Sequence, residues 1–92
     1  MEPATIVRLI QIEGVLRSIE EEKGRQQQRL AAFWEHLPPI DPGLVAQAMQ
    51  NILDRIRSLD DQRRALLLYR QELIVGAAAA ANPPPNPPGN EH

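Results

Sequence analysis

The residues that could carry chemistry are few, and their spacing keeps them apart. A catalytic constellation needs several polar groups converging on one pocket. Of the two histidines, His36 stands beside a proline-rich break and His92 is the last residue. Neither has a second His, Asp or Cys at metal-ligand spacing on one helical face. His36 therefore reads as a loop-edge or solvent-facing residue. Trp34-Glu35-His36 places its polar residues side by side, not at the i, i+3 spacing of di-iron bundle ligands. Glu20-Glu21-Glu22 point in different directions on a helix and read as a solvated face. Thr5, Ser18 and Ser58 have no histidine partner to activate them, and the five glycines stand singly, not in a phosphate-cradling loop. The expectation is a non-enzyme with no catalytic residues, no metal, no cofactor and no small-molecule substrate.

Arginine is the remaining candidate. Arg55, Arg57, Arg63, Arg64 and Arg70 fall in one stretch, but Asp54, Asp60 and Asp61 are interleaved with them. The chain carries 10 basic and 12 acidic residues, for a formal net charge of −2. A binder that relies on many phosphate contacts needs a basic excess. Regulatory nucleic-acid association through these arginines thus stands as the alternative function, behind a salt-bridged solvent face. With no cysteine, neither a disulfide framework nor a thiolate metal site is open to the chain. Met1 to Val15 lacks the features of a signal peptide, and the longest apolar run is too short to span a bilayer. The expectation is no membrane and a cytoplasmic location.

The elements that must position these residues are two helices. Thr5, Leu9, Ile12, Leu16, Ile19, Lys23, Gln26, Leu30, Phe33 and Leu37 step by alternating intervals of four and three. Val45, Met49, Ile52, Ile56, Leu59, Arg63, Leu66, Arg70 and Leu73 do the same. That period is the seam of a packed helix and excludes the alternation of a strand. Leu53, Leu67 and Ile74 widen the second stripe on one flank, more than a strict two-stranded coiled coil needs. Between the stripes, Pro38 pushes Leu37 out of helical angles, Asp41 offers an N-cap, and Pro42 suits a first helical position. Thr5 is the expected cap of the first helix, with Pro3 or Ala4 as earlier starts. Gly14 and Gly24 either permit close helix approach or are merely tolerated.

The spacing predicts an all-α fold: helix 4–37, loop 38–41, helix 42–75, closing as an antiparallel, coiled-coil-like hairpin over residues 1–76. Residue i should then face roughly residue 82 minus i. Glu20 should lie near Arg63, Glu13 near Arg70 and Lys23 near Asp60, each pair of opposite sign. Lys23, Gln26, Arg63 and Arg70 interrupt the seams, either as tolerated near-surface residues or as buried polar groups that fix register. Trp34 is expected to cap an apolar cluster beside the loop, while the middle of the hairpin reads as polar.

Residues 77–92 are expected to be an Ala-rich end, able to extend the helix to Asn82 at the latest, and a disordered Pro-rich tail. The tail reads as a solubilising spacer, because no basic residue flanks its Pro-x-x-Pro spacing. In outline, a hairpin with Trp34 just before the loop resembles the small Trp-x-Gly secreted proteins of type VII secretion. The motif itself is missing: Trp34-Glu35-His36 lacks the glycine, and Leu73 stands where an acidic residue should follow Tyr69. No family is assigned.

Two packed helices hide one stripe each, yet the end where the termini meet is apolar nearly all round. Ile6, Val7, Ile10, Val15, Leu67, Leu68, Tyr69 and Val75 are the expected protein interface. The sequence thus points to a helical protein–protein interaction module, a small adaptor, chaperone-like or assembly protein. It would act as a homo-oligomer, dimerising into a four-helix bundle, or dock on a helical partner.

Overall fold

In the computed structural model, residues 1–81 are described, and they form two helices packed against each other with no strand. Helix α1 spans Pro3–Glu35 and helix α2 spans Pro42–Ala81. The expected disordered tail lies outside the described residues, apart from the alanines.

Both helix starts follow from proline. Pro3 opens α1, where its missing N–H costs nothing, and the Glu2 carbonyl accepts from the N–H groups of Thr5 and Ile6 at 3.0 and 3.1 Å. The Glu2 side chain makes no capping bond. Thr5 is therefore not the cap; it sits inside the helix, half-buried on the seam. Helix α2 starts as the sequence reads. Pro42 is its first residue, and the Asp41 carboxylate accepts from the Gly43 N–H at 2.8 Å.

The helix ends depart from the expected ones. Helix α1 stops at Glu35, not Leu37. The carbonyls of Trp34 and Glu35 would need N–H groups from residues 38 and 39, and both are proline. The last turn closes instead with the His36 N–H donating to the Ala32 carbonyl at 2.9 Å. Helix α2 runs beyond Val75 to Ala81. Alanine is the strongest helix former, and one glycine at position 76 does not outweigh the five alanines that follow. Ala77 is half-buried, which continues the seam one step past Leu73.

The seam counted on the sequence is the line of burial. Every α1 position from Thr5 to Phe33 in that series is buried or half-buried, and on α2 only Arg63 among the series is exposed. The fully buried members are Ile12, Leu16 and Ile19 on α1 and Val45, Ile52 and Leu59 on α2. Leu59, at 1% exposure, is the most enclosed side chain among the described residues, and it sits in the middle of the hairpin. The middle is thus not polar throughout. The register sets Leu59 opposite Lys23, Ile19 opposite Arg63 and Ile12 opposite Arg70. Long aliphatic stems can cover apolar neighbours while their charged heads reach water.

All three expected ion pairs are present. Lys23 Nζ lies 2.8 Å from Asp60 Oδ1, Arg63 Nε lies 2.7 Å from Glu20 Oε1, and Arg70 pairs with Glu13. Their side chains keep a quarter to half of their exposure, so they are near-surface groups and not buried ones. Exposed pairs contribute about 0–1 kcal/mol each, so their part is to fix register more than to hold the hairpin together.

The glycines of α1 do not serve helix approach within the hairpin. A Cβ built on Gly14 or Gly24 meets nothing within 4 Å. Gly14→Ala is accordingly expected to raise stability by up to about 1 kcal/mol through helix propensity alone. Thermal unfolding followed by circular dichroism would show a higher midpoint; a lower one would mean that the space is needed.

Candidate functional site

No group of three or more His, Cys, Asp or Glu side chains that could hold a metal is present among the described residues, and no described helix is long and apolar enough to cross a membrane. The arginines of α2 are largely committed to carboxylates. Arg55 pairs with Glu22 at 2.7 Å, Arg63 with Glu20, Arg64 with Asp61 at 3.3 Å, and Arg70 with Glu13. Such pairing leaves less positive charge free for phosphate. What remains as a candidate site is apolar surface.

That surface is extensive for so small a chain. Thirteen large hydrophobic side chains are exposed among the described residues, against six that are buried. Ile6, Val7, Ile10, Val15, Leu68 and Val75 of the expected interface are all in the exposed group. Leu67 and Tyr69 are half-buried, and the Tyr69 hydroxyl accepts from Arg8 at 2.9 Å.

Helical geometry divides these residues among different faces. At 100° per residue, Ile10 lies 200° from buried Ile12, and Leu68 lies 900°, or half a turn, from buried Leu59. Each therefore points away from the opposite helix, with Val7 beside Ile10 and Val75 beside Leu68. These are two outer edges on opposite sides of the hairpin. Residues seven apart share a face, which sorts the rest into two flanks.

One flank carries the row Ile6, Glu13, Glu20, Gln27 and Trp34 on α1. Facing the same way on α2 is the row Leu53, Asp60, Leu67 and Ile74. Membership is fixed by the ion pairs of Glu13, Glu20 and Asp60, which bridge the helices on this side. The other flank carries Arg8, Val15, Glu22 and Arg29, with Ala48, Arg55, Gln62 and Tyr69 across from them. Its bridges are Arg8 to Tyr69 and Arg55 to Glu22. The two flanks are unlike: the first is apolar toward both ends with charge in the middle, and the second is polar along most of its length.

The sequence reading missed part of this. Trp34 does not cap a cluster beside the loop; it is 71% exposed, with Leu37, Ile40 and Leu44 exposed nearby. The early end of α1 takes Leu37 off the seam, whereas Trp34, inside α1 and one residue past the seam residue Phe33, stands on the flank by its spacing. The Glu22–Arg55 pair was also missed. The three expected bridges join residues whose numbers sum to 83, and this one sums to 77. A search for opposite charges on each flank separately would have found it.

Comparison of the chain with protein-family models, curated proteins and solved structures gives no match.

Proposed function

We propose that this chain is a helical protein–protein interaction module without chemistry of its own, acting through self-association into a four-helix bundle. The observation that supports the reading is the excess of exposed over buried large hydrophobics in a fold held by one seam. A core this small supplies limited stability, and domains of this size commonly gain the rest by oligomerisation. Contiguous exposed apolar surface marks an association site, and four helices bury what two cannot.

The test is thermal unfolding as a function of concentration. Binding that favours the folded state makes the midpoint depend on concentration, and a hundredfold change corresponds to about 2.7 kcal/mol. The midpoint should rise by several degrees when the protein is concentrated a hundredfold. A midpoint independent of concentration would contradict self-association and leave docking on a different helical protein as the role of the surface.

A further inference from the structure

We infer that the flank bearing Ile6, Trp34, Leu53, Leu67 and Ile74 is the contact face for a second copy of this chain, and that the two hairpins lie parallel, with their loops at the same end. The inference rests on the self-association proposed above and specifies its face and direction.

The face is chosen by the contrast between flanks. The first flank carries large apolar side chains toward both ends, whereas the second offers Val15 and half-buried Tyr69 among Arg8, Glu22, Arg29, Arg55 and Gln62. The outer edges carry apolar pairs too, but each belongs to a single helix and buries no second stripe. The first flank is two helices wide and about 50 Å long, roughly 1,000 Å² on each copy, which meets the ~800 Å² per partner of a stable interface.

The direction is chosen by charge. Two hairpins packed flank to flank about a two-fold axis have two arrangements. With the axis across the helices, each helix meets its own copy running the opposite way, so the loops lie at opposite ends. The α1 row, Ile6-Glu13-Glu20-Gln27-Trp34, is centred on Glu20, which would then meet Glu20 of the other copy. Arg63 would likewise approach Arg63, and Ile6 would meet Trp34.

With the axis along the helices, each α1 lies on the other copy's α2 and positions along the hairpin are preserved. Glu13 and Glu20 then approach Arg70 and Arg63 of the second copy, and Lys23 approaches its Asp60. Ile6 meets Ile74 at one end, Leu67 lies beside Glu13, and Leu53 lies between Gln27 and Trp34 at the other end. The same opposite-sign rule that sets register within the hairpin is satisfied again between hairpins. Arg17 and Arg64 stand at the outer margin, in solvent, where Arg64 already holds Asp61. Like charges meeting at an interface centre disfavour the first arrangement, and the seam cations Lys23, Arg63 and Arg70, each brought to an acid of the other copy, favour the second.

The chain has no cysteine, so one introduced thiol labels one place. Pro39→Cys in the loop, carrying a nitroxide, reports the distance between loops by pulsed dipolar spectroscopy on the full chain. Parallel hairpins predict a distance under about 30 Å; loops at opposite ends predict about 50 Å, the length of α1 at the helical rise. The longer distance would overturn the parallel arrangement while leaving self-association standing. The absence of any dipolar coupling, with a monomer mass, would overturn both. A second comparison tests the face. Ile74→Glu should weaken the dimer at least tenfold and Val15→Glu should leave it unchanged, with helicity retained in both. The reverse order would place the contact on the other flank.

Discussion

Leu59→Ala is expected to destabilise the chain by about 2–5 kcal/mol, because it removes three carbons from an enclosed site that stiff helices cannot close around. Leu68→Ala is expected to cost less than about 0.5 kcal/mol, apart from any share that association contributes. The two leucines sit nine residues apart on the same helix and differ only in face: Leu59 is 1% exposed and Leu68 58%. A single seam with six buried side chains among the described residues leaves little stability in reserve, so Leu59→Ala should leave the chain largely unfolded near body temperature. Denaturant titration followed by circular dichroism measures both. Equal losses would mean that the seam is misplaced.

The second large effect comes from charge. Ile12→Glu should abolish the hairpin, since Ile12 is 4% exposed and the substitution buries an acid that Glu13, already paired with Arg70, would compete against. An unpaired buried charge costs several kcal/mol, comparable to the whole stability of a small domain. Ile10→Glu, two residues earlier at 66% exposure, should keep its helicity. Because Ile10 lies on an outer edge and not on the proposed contact flank, it should keep its mass in solution too. Far-ultraviolet circular dichroism read at equal concentration separates the pair, and a helical Ile12→Glu variant would contradict the seam.

Much of the fold was legible because coiled-coil geometry is nearly one-dimensional. The alternating four-and-three steps placed Ile12, Ile19, Ile52 and Leu59 on the seam. A single turn of fixed position then set the register well enough to pair Glu13, Glu20 and Lys23 with their partners on α2. What failed were local terms that compete with the repeat. Pro38 and Pro39 removed the donors that the last turn of α1 needed, and that shortened end moved Leu37 out of the packing; Trp34, one residue past Phe33, was off the seam by its spacing. Alanine propensity carried α2 past Gly76.

The candidate surface was legible in kind and less so in arrangement. Exposure of Ile6, Val7, Ile10, Val15, Leu68 and Val75 follows from counting stripes. Their division between two outer edges and two flanks depends on which side each interhelical bridge occupies. Leu53, Leu67 and Ile74 already stood out as a widened stripe. The bridges of Glu13, Glu20 and Asp60 tie that stripe to the side of α1 that bears Ile6 and Trp34.

Sedimentation equilibrium of the unmodified full chain at high micromolar concentration addresses self-association without labels or substitutions. The mass should approach twice the 10.3 kDa of the single chain and fall toward 10.3 kDa on dilution. A soluble species that stays at 10.3 kDa at every concentration would contradict the self-associating module.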